Sequence, residues 1–104
     1  MKVRGYIYSR AFQGERVPQH VQNLVIRDFC NKHNFQYLLS SAEYAMDGSS
    51  MMLHQITKEL QKIDGIVAYS IFQLPENNLE RNNFLNNILE QKKIIFFAVE
   101  GLKV

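Results

Sequence analysis

Hydrophobic and polar positions divide this chain into two alternating kinds of segment. Short apolar runs, rich in β-branched and aromatic residues, predict buried strands over residues 3–8, 35–39, 66–72 and 94–99. The segments between these runs carry their apolar residues at helical spacing. The order β-α-β-α-β-α-β predicts a single, three-layer α/β domain over residues 1–104, in which an open four-stranded parallel sheet lies between two layers of helices.

The apolar spacing predicts three helices and the faces that they turn towards the sheet. The first begins at Pro18, whose missing N–H is tolerated in a first turn, and it has Gln22 on its outer, polar side. The third begins at or after Pro75. The residues expected to point inward are Val21, Leu24, Val25 and Phe29; Leu53, Ile56, Leu60 and Ile63; and Leu85, Ile88 and Leu89, with Phe84 beside them.

The strand order follows from the connections. Right-handed crossovers and one reversal of the winding direction predict the order 2-1-3-4, with the first and third strands side by side at the centre. Ligands of such sheets bind beyond the carboxyl ends of the two strands at the reversal, so the loops after Tyr8 and Phe72 are expected to meet there. Strands two and four would be open edges, and self-association into a homo-oligomer is therefore expected.

Composition removes several classes of function. Twelve basic and 10 acidic residues leave a net charge of +2, too little to draw the whole protein to nucleic acid or to an anionic membrane. No segment approaches the roughly 18–20 apolar residues that cross a bilayer, and without an apolar stretch of signal-peptide length near residue 1 no signal peptide is expected. The single cysteine, Cys30, excludes an internal disulfide, suits the reducing cytoplasm and is expected to pack in the core. His20, His33 and His54 are dispersed, with no paired ligands at zinc spacing, so no metal site is expected. No cofactor is expected either.

Three basic residues surround the predicted start of the first helix. Arg10 and Arg16 lie in the loop that leads into it, and His20 lies in its first turn. Free backbone N–H groups and two guanidinium groups would together bind a phosphate or carboxylate. The alternative is a solvated basic loop in which His20 covers a neighbouring side chain.

Hydroxyl and amide groups follow the two central strands. Tyr8 and Gln73 would line the crevice, where Gln73 would bond a sugar hydroxyl or its own loop. Ser9 or Ser70 would act as a nucleophile only with a base, and His20 is the base at hand. Without a nucleophile-elbow motif, the catalytic residues stay unassigned.

Glu43 follows the second strand, in a segment that is expected to be a loop from Ser40 to Ser49. It would be a general acid or base if this loop leans over the crevice. The alternative is a simple turn with Asp47 and Gly48 at its corner.

The stretches GYIYSR (residues 5–10) and IFQLPE (71–76), at the ends of the central strands, resemble the N-terminal domain of serine recombinases, or resolvases. The resemblance covers most of the chain and implies a resolvase- or flavodoxin-like fold. Tyr8 and Arg10 stand where the resolvase pattern has an arginine and the nucleophilic serine, and IFQLPE lacks that pattern's acid and both of its arginines. Because phosphoryl transfer needs those cations, neither recombination nor DNA binding is expected.

Four stretches carry a closer resemblance: RGYI (4–7), RVPQHVQNLVIRD (16–28), EYAM (43–46) and YSIFQLPE (69–76). They are similar to the small bacterial "sporadic carbohydrate cluster" proteins. The resemblance implies a role beside genes for lipopolysaccharide and other surface-polysaccharide sugars, and it implies no particular reaction.

Two functions from different classes therefore stand as expectations. The first is binding or modification of a phosphorylated or nucleotide-linked sugar in the cytoplasm, with Tyr8, Arg10, Arg16, His20 and Gln73 as ligand-binding residues. His20, Glu43 and Ser9 are its candidates for catalysis, and whether any reaction is catalysed stays open. The alternative is a non-catalytic protein that docks on a sugar-biosynthesis enzyme through an apolar surface or a free sheet edge.

Overall fold

The computed structural model describes residues 1–8, 17–43, 58–71, 74 and 78–103. Along these residues the chain forms, in order, β1 (Lys2–Tyr8), α1 (Gln19–Lys32), β2 (Gln36–Glu43), a 3-10 turn (Leu60–Lys62), β3 (Gly65–Ala68), α2 (Asn78–Glu90), β4 (Ile94–Phe97) and β5 (Leu102–Lys103). α2 is the third predicted helix. The 3-10 turn and residues 58–59 are the end of the second, whose Leu53 and Ile56 lie outside the described residues.

The strands form one sheet in the order β2-β1-β3-β4-β5. β1 pairs with β2 and with β3, and β3 with β4, all in parallel, which confirms the predicted order 2-1-3-4. The antiparallel β5 was not predicted. It pairs with Phe96 and Phe97, so β4 is not the open edge that the sequence suggested. Gly101, at a φ of 66°, makes the turn that brings the chain back onto β4.

Each face of the sheet is buried under helical segments. On one face Val3, Ile7, Val67 and Phe96 pack with Ile26 and Cys30 of α1. On the other face the packed residues come from three strands, the second helical segment, the β3 loop and α2; they are Tyr6, Ile66, Ala68, Ile95 and Phe97 with Leu60, Ile63, Leu74, Phe84 and Ile88. The predicted three-layer architecture is thus confirmed.

The inner face of α1 differs from the predicted one. The buried residues are Gln22, Ile26 and Cys30, one helical turn apart, whereas Leu24 is 60% exposed. Gln22 can be buried because its Nε2 donates a 2.9 Å hydrogen bond to Val17 O. Its amide therefore fastens the segment before α1 to the helix, and counting it as a surface residue rotated the predicted stripe away from the true one.

The inner face of α2 is also rotated from expectation. Phe84 and Ile88 are buried and Leu85 packs against the core, but Leu89 is 54% exposed. One turn along a helix returns to the same face after three or four residues, so a helix that buries Phe84 and Ile88 turns Leu89 outward.

Both helices end in the same way. Asn34 and Lys92 adopt the left-handed conformation, each with a φ of 58°. The next residue in each case returns an N–H to the last turn, from Phe35 to Cys30 O at 2.8 Å and from Lys93 to Ile88 O at 3.0 Å. This Schellman arrangement satisfies helix carbonyls that would otherwise lack a partner.

β2 runs further than predicted, through residues expected to be loop, and it carries a bulge. The β1–β2 register shifts between Arg4 and Tyr6, where one extra residue of β2 is accommodated near Ser40. The hydroxyls of Tyr37 and Ser40 lie 2.7 Å apart, and Ser40 N–H donates to the Tyr37 oxygen at 3.1 Å. Gly5 is required opposite, since a Cβ there would lie 2.1 Å from Ser40 Oγ.

Candidate functional site

The carboxyl ends of the parallel strands define one edge of the sheet. β1 and β3 are paired from Val3 with Gly65 to Tyr6 with Ala68, and β1 then continues alone beside β2. Its last residue, Tyr8, lies opposite Glu43 in the register. Because β2 extends to Glu43, the backbone of Glu43 lies beside the end of β1 as part of a strand. The sequence instead predicts a loop there, which would have to lean towards this end of the sheet.

The start of α1 belongs to the same side of the fold, because this helix follows β1 in a parallel crossover. His20 lies in its first turn, as the sequence predicted, and the structure shows this residue exposed. The N–H groups of Val21 and Gln22 both bond to Pro18 O at 3.1 Å. The hydrogen bond from Gln22 to Val17 holds the chain immediately before the helix.

The loop after β3 is held by an acidic residue that sequence reasoning missed. Glu100, in the turn between β4 and β5, accepts a 2.9 Å hydrogen bond from Ser70 Oγ on one carboxylate oxygen. Its other oxygen accepts the N–H of Ile71 at 2.8 Å. We name Ser70, Ile71 and Glu100 the carboxylate clamp. A carboxylate that accepts two hydrogen bonds fixes the direction in which the β3 loop leaves the sheet.

The clamp decides how Ser70 is interpreted. The residue is 2% exposed, and its hydroxyl donates to a carboxylate. A nucleophilic serine needs an accessible hydroxyl that donates to a base aligned with the substrate. The geometry is that of a structural serine that anchors the loop.

Four candidate residues lie outside the described residues: Ser9, Arg10, Arg16 and Gln73. Of the others, Tyr8 and Glu43 are described by their backbone and His20 by its side chain as well. The structure thus brings Tyr8 and Glu43 together at the strand ends. Within the described ranges, no three His, Cys, Asp or Glu side chains assemble into a metal-binding group.

Two residues of this edge were missed for different reasons. Gln22 could have been found from its spacing, because it precedes Ile26 and Cys30 at intervals of four residues. Glu100 lies 30 residues from Ser70 along the chain, and its only sequence signal is an acid directly after the last apolar run.

The fold is that of the resolvase-type α/β domain. A resolvase family site-specific recombinase from Streptococcus pneumoniae superposes with a TM-score of 0.75 at 10% identity, over 97% of this chain and 75% of that one. The N-terminal catalytic domain of TP901-1 integrase superposes with a TM-score of 0.70 at 12% identity, over 96% of this chain and 80% of that one. At these identities the likeness shows the fold alone. No family model matches the sequence, and no curated protein matches it.

None of the helices in the part of the chain that the structure describes has the length and apolar character to cross a membrane.

Proposed function

We propose that this chain binds a phosphorylated or nucleotide-linked sugar in the crevice beyond the carboxyl ends of β1 and β3, in the cytoplasm, as part of bacterial surface-carbohydrate biosynthesis. The observation that carries the proposal is the adjacency of β1 and β3 at the centre of a sheet whose winding reverses between them. Ligand crevices of open α/β sheets occur at this point.

The surroundings of the crevice support a ligand of this chemistry. Exposed His20 stands at the start of α1, where backbone N–H groups and the helix dipole favour an anion. The carboxylate clamp holds the loop that leads to Gln73. Tyr8, Arg10, Arg16 and Gln73 complete the proposed binding set, with His20, Glu43 and Ser9 as the groups that would move a proton if a reaction occurs.

The sugar part of the proposal comes from sequence. The stretches that resemble the sporadic carbohydrate cluster proteins include the start of α1 and the β3 loop, which are the elements around the crevice. A phosphorylated sugar would present both an anion for Arg10 and Arg16 and hydroxyls for Gln73.

Thermal unfolding in the presence of nucleotide sugars and sugar phosphates tests the proposal. A ligand at about a hundredfold its Kd stabilises the folded state by about 2.7 kcal/mol, a rise in Tm of about 10–20 °C for a chain of this size. Arg16→Ala should abolish the rise while the free protein stays folded. Arg27→Ala is the matched control, because Arg27 stands over the Tyr37 ring and away from the helix start. A rise that survives Arg16→Ala would refute this anion site.

The alternative, a non-catalytic protein that docks on a sugar-biosynthesis enzyme, is favoured by one observation. Among the described strands, none pairs with the outer edge of β2, and Leu39 on that strand is 76% exposed. This function predicts that no sugar phosphate raises the Tm. It predicts instead that a purified sugar-biosynthesis enzyme raises it, and that Leu39→Asp abolishes this effect.

A further inference from the structure

The outer face of α2 has a composition that is unusual for a solvated helix. Its seven exposed residues include only one charged side chain; they are Asn78, Leu79, Asn82, Asn83, Asn86, Leu89 and Glu90. Leu79 is 72% exposed and Leu89 54%. Asparagine is a poor helix former, so helix propensity gives no reason for four of them on one face. Depletion of charge around exposed apolar residues is typical of the centre of a protein interface.

The positions form a seam. Leu79, Asn82, Asn86 and Leu89 follow one another at intervals of three, four and three residues, which is the a/d spacing of a coiled coil. We call these four residues the α2 seam. Phe84 and Ile88 are buried in the core of their own chain, and they lie on the side of the helix opposite the seam. The seam is therefore free to contact another molecule.

The α2 seam is symmetric about Phe84. Leu79 and Leu89 lie equally far from it in sequence, and so do Asn82 and Asn86. Two copies of α2 packed antiparallel around a two-fold axis through this point would place Leu79 opposite the partner copy's Leu89, and Asn82 opposite the partner copy's Asn86. Each apolar side chain then meets an apolar one, and each amide meets an amide with which it can exchange hydrogen bonds.

Charge also favours the antiparallel pair. Glu90 lies in the last turn of α2, where its own helix carries partial negative charge. In the antiparallel arrangement it lies beside the first turn of the second helix, around Asn78, where the partial charge is positive. Glu80 is partly buried and projects from the side of the helix away from the seam, so it does not face the second copy.

We propose that the α2 seam is a self-association surface, through which two copies of this chain pair antiparallel. This inference is independent of the proposed sugar ligand. A helix of 13 residues is about 20 Å long and about 10 Å across. Two such faces bury less than the roughly 1,200 Å² of a stable interface, so the pair is a reversible, concentration-dependent dimer.

Sedimentation equilibrium of the full chain from about 10 μM to 1 mM, a range that brackets a weak dimer, tests the proposal. The wild type should shift from monomer to dimer. Leu79→Glu combined with Leu89→Glu should weaken the dimer by about a hundredfold, because carboxylates replace buried leucines and repel one another. Leu24→Glu is the matched control, since it changes an exposed leucine on α1, and it should dimerise like the wild type.

A second pair of variants tests the seam in the opposite direction. Asn82→Leu combined with Asn86→Leu should tighten the dimer by at least about tenfold, because the central amides become apolar contacts.

Disulfide trapping tests the direction of the helices: a Leu79→Cys chain mixed with a Leu89→Cys chain should cross-link to each other in preference to themselves. A wild type that stays monomeric throughout the range overturns the proposal. So does a Leu79→Glu/Leu89→Glu variant that dimerises like the Leu24→Glu control.

Discussion

Gly5→Ala should strongly destabilise the protein through the bulge in β2. The added Cβ would lie 2.1 Å from Ser40 Oγ, 3.0 Å from Ser40 Cβ and 3.2 Å from Tyr37 Cε1. Rotation of the Ser40 hydroxyl removes the first clash and breaks its 2.7 Å contact with the Tyr37 hydroxyl. The second clash involves the Cβ of Ser40, so it can be relieved only by a shift of the β2 backbone.

The magnitude follows from these two steps. Loss of the hydrogen bond costs about 1 kcal/mol, and overpacking of a buried position adds about 1–3 kcal/mol. We expect the free energy of unfolding of Gly5→Ala to fall by about 2–4 kcal/mol, which corresponds to a drop in Tm of roughly 10–30 °C. Urea denaturation followed by circular dichroism measures the first quantity. Gly101→Ala is a useful comparison, because it meets no atom within 4 Å and carries only the cost of its φ of 66°, about 1 kcal/mol.

A double-mutant cycle separates the clash from a general effect of alanine. Ser40→Ala alone should cost about 1 kcal/mol, since Tyr37 keeps its hydrogen bonds with Ser40 N–H and Asn23 Oδ1. Combined with Gly5→Ala it also removes the 2.1 Å contact, so the double variant should be more stable than the sum of the single effects by about 1 kcal/mol or more. Additive effects, or a Gly5→Ala protein as stable as the wild type, would refute the reasoning.

Four further outcomes are expected. Gly65→Ala places a Cβ 2.5 Å from Ile94 O, a backbone atom of the next strand, and should lower the unfolding free energy by about 3 kcal/mol in urea titrations. Lys92→Gly removes the cost of a left-handed conformation in a residue that has a Cβ. It should raise the unfolding free energy by about 0.5–1 kcal/mol in the same assay; a decrease would contradict this. Glu100→Ala removes two charge-assisted hydrogen bonds and should lower the unfolding free energy by about 2–3 kcal/mol. Amide hydrogen exchange in the β3 loop should become faster. Burial raises the pKa of the Cys30 thiol from 9.0 to about 11, so the folded state holds this proton more tightly than the unfolded state. Stability should therefore decline as the pH rises from 9 to 11, and by less in Cys30→Ala, when both are unfolded in urea at each pH.

The strands and their order were predictable because their signals are local. Continuous apolar runs mark buried parallel strands, and the handedness of crossovers leaves few arrangements of four such strands. The two-residue β5 has no such signal. Its position depends on the turn at Gly101 and on pairing with Phe96 and Phe97, neither of which a periodicity can show.

The faces of the helices were less predictable, because burial of a polar residue depends on its partner. Gln22 is buried since Val17 O is within reach of its amide. Leu24 is exposed because the inner positions are already taken by Gln22, Ile26 and Cys30. Apolar character alone assigned both residues to the wrong side of α1. The interval of four residues that joins Gln22 to Ile26 and Cys30 would have placed Gln22 on the inner face and Leu24 on the outer face.

The residues around the candidate crevice were also predictable only in part. The position of the central strands was predictable from the sequence, but a contact between residues distant in sequence was not. That β1 and β3 are neighbours at the centre of the sheet follows from topology, which the sequence encodes in the order of its apolar runs. The loop after β3, by contrast, is held by hydrogen bonds from Ser70 and Ile71 to Glu100. Glu100 lies in the β4–β5 hairpin, which the sequence did not predict. A carboxylate from the β4–β5 turn therefore links the end of the sheet formed by β5 to the loop that follows the central strand β3. Any variant that loosens this hairpin should also loosen the β3 loop, even though the two are about 30 residues apart in sequence.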